Sequence, residues 1–366
     1  MSPTTEGTLP RRALVMAGGT GGHIFPGLAV AQALRERGWT VFWLGARGSA
    51  SAPSMESELV PKHGFAFEAL DFSGVRGKGP LTLALLPLQL LRAFWQSIQV
   101  LRRVRPHVVV GLGGYASFPG GMMGVLLGKP LVLHEQNAVA GLTNRVLAEL
   151  ADRVFTAFPD VLAKARFVGN PLRAAFLGQP GPQQRFAQRS GVLRLLVVGG
   201  SLGARVLNDT VPRALALIPA AQRPQVLHQS GRAQIEALRA NYAAAGVQAE
   251  LTAFIDDTAQ AFAQADLVLC RAGASTVTEL AAIGAAAVFV PLPSAVDNHQ
   301  TRNALFLVDR GAGWLLPQAE LTPERLAQLL QSMNRAALVD CATRARQLEQ
   351  TGATQEMVTA CEELAP

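Results

Sequence analysis

The stretch VMAGGTGGHIFPGLAVAQAL, residues Val15–Leu34, decides the fold because it joins a short apolar run to a helical pattern through a glycine-rich turn. A strand, a glycine turn and a helix in this order aim backbone N–H groups and the positive end of a helix dipole at one point. Glycine lets the backbone approach an anion closely. The stretch predicts a parallel-sheet unit with an anion site, a strand over Leu14–Ala17 and a helix over Gly27–Arg37.

The same pattern occurs again near the middle of the chain. The apolar run Leu195–Val198 also ends in Gly-Gly, 181 residues after the first glycine pair, and a helical pattern follows over Ala204–Leu217. One hydrophobic core rarely grows past about 250–300 residues. The chain of 366 residues is therefore expected to form two domains.

Further short runs of Val, Leu and Ile alternate with helical patterns, which is typical of parallel strands buried on both faces. We expect two tandem Rossmann-like doubly wound parallel-sheet domains of the α/β class, facing a cleft. The segment Gly178–Arg189 has the composition of a linker, and Thr354–Leu364 is helical in pattern. The other predicted strands are Val41–Leu44, Val108–Val110, Leu131–Leu133, Val154–Thr156, Gln225–His228, Glu250–Thr252, Leu267–Cys270 and Ala287–Val290.

The net charge of +7 is unevenly distributed. Residues 1–174 hold 18 Lys and Arg against 10 Asp and Glu, whereas residues 175–366 hold 15 against 16. A basic half indicates an anionic partner, such as nucleic acid, a phosphate-bearing substrate or an anionic membrane, or else an ordinary solvated surface. No secretory signal or membrane-spanning helix is expected, and the three cysteines lack metal-ligand spacing, so free thiols in a reducing cytoplasm are expected.

Two common nucleotide-binding motifs are absent from the glycine turns. GGTGGH and GGSLGA both fail the spacing G-x-G-x-x-G, and Trp43–Ala46 lacks the acidic residue expected at the end of the second strand. Neither turn continues into the Gly-Lys-Ser/Thr of a P-loop. These departures disfavour an enzyme that uses NAD.

Four further stretches place polar groups or glycines after predicted strands. GLGGYASFPGG (Gly111–Gly121) indicates a second anion site or a close-packed turn, and His134–Asn137 is more typical of a site than of a core. In CRAGASTVTELAAIG, small residues open a helix, and Glu279 can accept both ribose hydroxyls or can simply be an acid near a helix N-terminus. Asp297–Gln300 suits sugar hydroxyls. No metal is needed, because no Asp-x-Asp and no His/Cys cluster occurs.

Eight motifs occur in order between about Arg12 and about Arg310: MAGGTGGHIFPGLAVA, GGYASFPGG, HEQNAVAGLTN, VGNPLR, GGSLGAR, FIDD, CRAGASTVTEL and DNHQTRNA. Together they resemble the MurG family of bacterial peptidoglycan glycosyltransferases. The resemblance implies a GT-B fold and transfer of N-acetylglucosamine from UDP-N-acetylglucosamine to lipid I, which forms lipid II. It also implies inversion at the anomeric carbon without a metal or cofactor.

The resemblance further implies a division of labour between the domains. Residues 1–173, with the C-terminal helix at about 352–366, would form an acceptor and membrane-associated domain, and residues 174–351 would bind the donor. The implied partners are UDP-N-acetylglucosamine, lipid I, an anionic membrane surface, and cell-wall and division proteins, but no nucleic acid. The implied location is peripheral, on the cytoplasmic face of the inner membrane.

The family motifs carry site residues onto this sequence. The implied acceptor-side loop is Gly113, Gly114 and Tyr115. Leu202 stands where many members have glutamine, and the loop before Asp297 is one residue longer than in some members. The implied donor contacts are Thr20, Gly21, Gly22, Asn137, Arg173, Ser201, Ile255 (through its backbone), Ala274, Ser275, Thr276, Val277, Thr278, Glu279 and Gln300.

An inverting transfer needs a base that removes the proton of the acceptor hydroxyl. Histidine, with a reference pKa of about 6.5, suits that role at neutral pH. His23 is the candidate base, and Glu135 and His134 are lesser candidates. The competing interpretation is that His23 only binds the turn or a substrate phosphate.

The segment PLTLALLPLQLLRAFWQSIQVLRRVRP combines Leu-rich stretches with aromatic and basic residues. It indicates a membrane-interface surface or, alternatively, a core helix with a charged end, and Pro87 is expected to interrupt any long helix. Other functions left open are a UDP-N-acetylglucosamine 2-epimerase, a transferase with another acceptor, and a nucleotide-sugar-binding scaffold. The residues expected at the membrane are Phe94 and Trp95 with Arg76, Lys78, Arg92, Arg102, Arg103 and Arg105.

Overall fold

The computed structural model describes residues 10–48, 53–72, 85–187, 189–200 and 203–365. The chain divides into two compact units, each built around its own parallel sheet. The first unit comprises Met1–Gln136, Ala140–Pro171 and Gly352–Pro366, and the second comprises Asn137–Val139 and Leu172–Thr351. Within the described residues, no helix combines the length and the apolar character needed to cross a bilayer.

The first unit contains a seven-stranded sheet with the strand order β3-β2-β1-β4-β5-β6-β7, and its strand pairs are parallel. Its strands are β1 (Arg12–Met16), β2 (Thr40–Ala46), β3 (Ala66–Leu70), β4 (Val108–Gly111), β5 (Leu131–Glu135), β6 (Arg153–Thr156) and β7 (Arg166–Phe167). The helices between them are α1 (Gly21–Glu36), α2 (Met55–Lys62), α3 (Leu86–Val104), α4 (Ser117–Leu126) and α5 (Leu142–Ala148).

Both faces of the first sheet are covered, which explains its continuous apolar strands. Successive side chains of a strand point to opposite faces. Val15 and Val110 accordingly belong to one buried cluster, together with residues of α1. Leu14 and Val109 belong to another, together with residues of α3.

The second unit repeats the architecture with a six-stranded sheet of order β10-β9-β8-β11-β12-β13, whose pairs are also parallel. Its strands are β8 (Arg194–Val198), β9 (Gln225–Gln229), β10 (Glu250–Thr252), β11 (Leu267–Cys270), β12 (Ala287–Phe289) and β13 (Trp314–Leu315). Its α-helices are α6 (Ala174–Leu177), α7 (Pro182–Ala187), α8 (Arg205–Ala216), α9 (Ile235–Ala245), α10 (Thr258–Gln264), α11 (Ala274–Ile283), α12 (His299–Val308), α13 (Pro323–Ser332) and α14 (Arg335–Gln347). Short 3-10 turns occur at Ala220–Gln222, Arg232–Gln234, Val296–Asn298 and Gln318–Glu320.

The fold class predicted from the sequence is confirmed: the chain forms two doubly wound parallel-sheet units. Three short strands, β3, β7 and β13, were missed. Each lies at the edge of its sheet, where half of the backbone hydrogen bonds are unpaired and the apolar pattern is weak. The sequence Ala66–Leu70, for example, places a glutamate in the middle of β3.

Three local predictions were wrong. The first helix begins at Gly21 rather than Gly27, with Pro26 inside it, because burial of Ile24 and Leu28 outweighs the low helix propensity of glycine and proline. The segment Gly178–Arg189 is not a plain linker, since it contains α7. Pro87 does not interrupt α3 but stands in its first turn, where the missing N–H costs nothing.

The last helix, α15 (Ala353–Leu364), returns to the first unit and packs against α1. Ala353, Met357 and Cys361 are buried in the same cluster as Val15. At the surface of this contact, Arg37 at the end of α1 lies 3.2 Å from the carboxylate of Glu362. The first strand, β1, and the last helix, α15, are thus part of one core.

In each unit, a glycine turn after the first strand lies in close contact with a neighbouring backbone. A Cβ built on Gly114, whose φ is +87°, would lie 2.3 Å from the carbonyl oxygen of Gly18. A Cβ on Gly203 would fall even nearer to the carbonyl oxygen of Ser230. Only glycine fits at these positions, because any side chain would displace the facing turn.

Gly114→Ala should therefore destabilise the first unit more than a change of φ alone can explain. Gly128→Ala is the matched control, since Gly128 also has a positive φ, +68°, but nothing lies within 4 Å of its added Cβ. We expect Gly128→Ala to cost about 1–2 kcal/mol and Gly114→Ala about 1–3 kcal/mol more, measured by urea denaturation. Equal costs for the two variants would contradict this account of the contact.

Candidate active site

The first glycine turn leaves the start of α1 open to a ligand. Gly19 has a φ of +88°, and the N-cap residue Thr20 is extended and makes no side-chain capping hydrogen bond. The first N–H groups of a helix have no partner within the helix. This turn is the predicted anion site, and it carries Thr20, Gly21 and Gly22 in the first unit.

His23 lies in the first turn of α1, with a ring nitrogen directed back into the glycine turn. Its Nδ1 is 3.2 Å from the carbonyl oxygen of Gly18 and 3.3 Å from the hydroxyl of Thr20. Because a carbonyl only accepts hydrogen bonds, Nδ1 carries the proton of the neutral ring and Nε2 carries the lone pair. The ring approaches Gly113 so closely that a Cβ there would lie 3.1 Å from Nε2.

No sequence motif indicated the buried carboxylate that hydrogen-bonds to the backbone of the first glycine turn. Glu56, only 1% exposed, accepts hydrogen bonds from the N–H of Gly19 at 3.2 Å and of Ala46 at 3.3 Å. A Cβ on Gly18 would clash with its Oε1. Glu56 comes from the first turn of α2 rather than from the end of β2, so the dinucleotide-binding fingerprint gave no signal for it.

The polar run at the carboxyl end of β5, which the sequence indicates as part of a site, makes several hydrogen bonds within the protein. His134, Glu135 and Gln136 are buried. His134 Nε2 donates to the carbonyl of Gly169 at 2.8 Å, and Gln136 Nε2 donates to His134 Nδ1 at 3.1 Å. Burial lowers the pKa of His134 to about 4. Since both ring nitrogens are engaged, His134 is unsuited to act as the base.

Glu135 accepts a hydrogen bond from Asn144 of α5, a residue to which the sequence pattern assigned no role. The Glu135 carboxylate accepts from Asn144 Nδ2 at 2.8 Å and from the N–H of Gly141 at 3.2 Å. Asn144 is buried, and its Oδ1 has no hydrogen-bond partner among the described residues. Asn144 lies beside Gly113, as His23 does. The first unit thus brings His23, Gly113, Asn144 and Glu135 together.

The second unit has its candidate anion site at the start of α11. The N-cap residue, Gly273, has no side chain to cover the first N–H groups, and the buried Oγ of Ser275 has no partner within the described part of the chain. Two of the predicted contacts point elsewhere: Val277 is buried in the core, and the Thr278 hydroxyl donates to the carbonyls of Ala274 and Ser275. Ser275 is therefore better placed than these two for a side-chain contact.

Glu279, one turn further along α11, faces Arg173. The Glu279 carboxylate lies 3.5 Å from Nη2 of Arg173, which also donates to the hydroxyl of Thr258 at 2.8 Å. Burial raises the pKa of Glu279 to about 7, although the charge of Arg173 acts in the opposite direction. Burial therefore disfavours the ionised form of this carboxylate, whose oxygens can accept hydrogen bonds from hydroxyl groups.

Two other predicted donor contacts lie in loops of the same unit. Ile255 is half-buried between β10 and α10, three residues before Thr258. Gln300 uses its Oε1 to accept from the N–H of Ala272 at 3.3 Å and of Leu292 at 3.0 Å. Any contact of Gln300 with a sugar hydroxyl therefore falls to its Nε2. Ser201 and Leu202 lie outside the described residues.

The backbone around Asp297 departs from a regular helix entry. Asp297 and Asn298 both have positive φ, +51° and +54°, and the Oδ1 of Asn298 accepts from the hydroxyl of Thr301 at 2.6 Å. Across the part of the chain that the structure describes, no three His, Cys, Asp or Glu residues are grouped as a metal site.

Two family models match the chain, one for each unit. The glycosyltransferase family 28 N-terminal domain matches residues 13–156, and the glycosyltransferase family 28 C-terminal domain matches residues 194–359. A crystal structure of Acinetobacter baumannii MurG is similar over 97% of this chain and 100% of its own, with a TM-score of 0.84 and 41% identity. The calicheamicin glycosyltransferase CalG4 has a TM-score of 0.65 at 16% identity, which supports the fold alone.

Close sequence relatives agree with these matches. A protein of Polaromonas naphthalenivorans (strain CJ2) is 72% identical over 97% of this chain and 99% of its own length. A protein of Paracidovorax citrulli (strain AAC00-1) is 70% identical over 98% and 99%. Both are named UDP-N-acetylglucosamine--N-acetylmuramyl-(pentapeptide) pyrophosphoryl-undecaprenol N-acetylglucosamine transferase.

The two parallel-sheet units and the two family models that match them define a glycosyltransferase of the two-domain parallel-sheet class. The chain belongs to glycosyltransferase family 28 and, within it, to the MurG family of N-acetylglucosamine transferases.

The raised pKa of Glu279 predicts opposite effects of Glu279→Gln on stability and on binding. The unfolded carboxyl loses its proton near pH 4.5 and the folded one only near pH 7, so the wild type loses stability as the pH rises between these values. Glu279→Gln should melt at a higher temperature than the wild type at about pH 8, and at the same temperature near pH 4.5. It should bind UDP at least about tenfold more weakly, because the hydroxyl hydrogen bonds lose a charged acceptor and the amide nitrogen cannot accept in place of the second carboxylate oxygen.

Thermal melts across this pH range and calorimetric titration with UDP would measure both effects. The control is Glu236→Gln, which changes an exposed glutamate of α9 and should move neither quantity. A Glu279→Gln variant that is less stable than the wild type at about pH 8 would contradict the raised pKa.

Proposed function

We propose that this chain transfers N-acetylglucosamine from UDP-N-acetylglucosamine to lipid I, the undecaprenyl-pyrophosphoryl-N-acetylmuramyl-pentapeptide, and so forms lipid II. The observation that carries the proposal is the 72% identity, over 97% of the chain, to a relative named for this transfer. We also propose that residues 174–351 bind the donor and that the rest, residues 1–173 with the C-terminal helix, binds the acceptor.

The donor would bind to the second unit by its three chemical parts. The open N-terminus of α11, with the unpartnered hydroxyl of Ser275, suits the diphosphate. Glu279 suits the ribose hydroxyls, and the backbone of Ile255 suits the uracil. Arg173, which contacts both Glu279 and Thr258, carries a positive charge that can neutralise part of the leaving diphosphate. Nε2 of Gln300 and the amide of Asn137 would contact the sugar, and Thr20–Gly22 of the first unit would also meet the donor.

The reaction would be a single displacement with inversion. The acceptor hydroxyl attacks the anomeric carbon as the bond from that carbon to UDP breaks, and the hydroxyl proton passes to a base. His23 Nε2 carries the lone pair of its ring, because Nδ1 is directed at the Gly18 carbonyl. Glu135 already accepts two hydrogen bonds from its own chain, which makes it the weaker candidate. Gly113, Gly114 and Tyr115 would line the acceptor side.

The purified protein, incubated with UDP-N-acetylglucosamine and a lipid I analogue, should release UDP and form the disaccharide in equal amounts without added metal. Release of UDP with a manno-configured product would indicate an epimerase instead. Binding of the donor without turnover would indicate a scaffold. Turnover only with a different lipid or a soluble acceptor would indicate a related transferase.

His23→Ala should lower kcat by at least about 100-fold, since a positioned base contributes about 10²–10⁴-fold, while the dissociation constant of the donor changes less than tenfold. The variant should also lose the acidic limb of the pH–rate profile. His63→Ala, which removes an exposed histidine at the end of α2, is the control. If His23→Ala lost only donor affinity, His23 would be a binding residue and the base would lie elsewhere.

We propose in addition that α3 forms the membrane surface of a peripheral protein on the cytoplasmic face of the inner membrane. Leu88, Leu91 and Trp95 are 65%, 63% and 58% exposed along this helix, although large apolar side chains are usually buried. The helix α4, which packs against α3, exposes Leu126, and α5, which packs against α4, exposes Leu142. The alternative of a core helix does not account for this exposure.

The basic residues around α3 differ in what they contact. Arg92 pairs with Asp71 at 2.7 Å, and Arg103 pairs with Glu68. A hydrogen bond from Gln96, aided by Arg92 and Arg47, lowers the pKa of Asp71. Arg102 is exposed at the end of the helix and is the better candidate for an anionic lipid. Arg76 and Lys78 lie outside the described residues.

The triple variant Leu88→Ser/Leu91→Ser/Trp95→Ser should sediment at least about tenfold less with vesicles of phosphatidylglycerol, because burying each apolar side chain contributes about 1.5–3 kcal/mol. Arg102→Glu should weaken the sedimentation at low salt only. Leu217→Ser, which changes an exposed apolar residue of the second unit, is the control. Wild-type protein that ignores vesicles at low salt would refute the membrane surface.

A further inference from the structure

Asn303, on α12, is a fully buried amide that makes three hydrogen bonds within the second unit. Its Oδ1 accepts from the N–H of Ala138 at 2.8 Å. Its Nδ2 donates to the carbonyl of Ala272 at 3.1 Å and to Oδ1 of Asn137 at 3.4 Å. The motif DNHQTRNA contains Asn303, but neither the sequence nor the proposed function assigns it a role.

Ala272 is held by α12 on both sides of its backbone. Its carbonyl accepts from Asn303, and its N–H donates to Oε1 of Gln300, which lies one turn earlier on the same helix. Ala272 directly precedes Gly273, the N-cap of α11. The two side chains of α12 therefore fix where α11 begins, and with it the backbone N–H groups proposed to bind the diphosphate.

The other end of the Asn303 contact is the three-residue segment Asn137–Val139. This segment belongs to the second unit, although the residues before and after it belong to the first. So short a segment has little backbone of its own to fix its position. The Asn303 amide gives it a hydrogen bond to the backbone of Ala138 and another to the side chain of Asn137.

The chemistry of this position requires an amide. It must supply one acceptor and two donors at once, which asparagine does and which neither aspartate nor an apolar residue can. Removing the amide would leave the half-buried N–H of Ala138 and the buried carbonyl of Ala272 without this partner, and an unpaired buried polar group is expensive. Asn303 thus connects the segment that carries Asn137 to the entrance of α11.

We propose that Asn303 is a positioning residue of the donor site: it holds Asn137 in register with the start of α11, so that the sugar and the diphosphate of the donor are bound together. The inference rests on the proposed function, because it takes Asn137 as a contact of the donor sugar. It assigns Asn303 no contact with the substrate. Its effect reaches the substrate through Asn137 and Ala272.

The inference predicts that Asn303→Ala weakens the binding of UDP-N-acetylglucosamine more than the binding of UDP. Calorimetric titration should give a dissociation constant for UDP-N-acetylglucosamine raised at least tenfold. The constant for UDP should rise less than threefold, because the bond from the Ala272 N–H to Gln300 remains and still holds the start of α11. Asn137→Ala should show the same split. The double variant should be no weaker than the worse single variant, because residues that act through one contact are not additive.

Two further variants separate positioning from folding. Leu326 is an apolar core residue of α13 and makes none of these hydrogen bonds. Leu326→Ala should therefore lower the melting temperature without weakening the binding of one ligand more than that of the other. Asn303→Ser keeps a neutral polar group in the same place but cannot supply one acceptor and two donors at once. If Asn303→Ala fails to fold, Asn303→Ser gives the same test, and Asn303→Ser should also raise the UDP-N-acetylglucosamine constant at least tenfold.

Equal weakening of UDP and UDP-N-acetylglucosamine, or additive effects in the double variant, would overturn the positioning role. These results leave the proposed function intact, because wild-type transfer to the lipid I analogue is measured separately. Wild-type protein that binds UDP but not UDP-N-acetylglucosamine would overturn both. The wild type could also bind the nucleotide sugar but transfer nothing, while the variants weaken its binding more than that of UDP. That result would overturn the function and keep the positioning role.

Discussion

The parallel pairing of the strands is the constraint on which the rest of the structure depends. β1 pairs with β2 and β4 in one unit, and β8 pairs with β9 and β11 in the other. Parallel strands end at the same edge of the sheet, so the turns that follow them must meet there. Two backbones can meet at such an edge only where side chains are absent, as at Gly114 against Gly18 and at Gly203 against Ser230. The glycine turns are therefore as much a condition of packing as of ligand binding.

Buried polar side chains then fix these turns in place. Glu56 accepts from the N–H of Gly19, Asn144 donates to the carboxylate of Glu135, and Asn303 holds Ala272. Each such group must be paired, because an unpaired polar group in the interior costs about 1–3 kcal/mol. The same requirement ties these backbone segments to buried side chains of their own units. An arrangement of this kind favours binding, since little ordering remains to be done when the donor enters.

The sequence predicted the fold class because the signals for it are local. Each central strand contains at least two consecutive apolar residues, and the strands of the two halves are separated by helical patterns. The short edge strands β3, β7 and β13 carried no such signal, and the helix start at Gly21 contradicted the propensities of its own residues. In these cases burial against distant parts of the chain outweighed local preference.

The sequence by itself determined the two glycine-turn units and the residue types that belong near phosphates and sugars, since these follow from spacing along the chain. Only the tertiary structure decided which polar residues are hydrogen-bonded within the protein and so serve the fold. The ring of His134 is hydrogen-bonded to Gln136 and to the Gly169 carbonyl. The side chains of Glu56, Asn144 and Asn303, by contrast, hydrogen-bond to partners distant in the sequence. The physical reason is that the role of a polar group depends on what satisfies its hydrogen bonds, and those partners are set by packing.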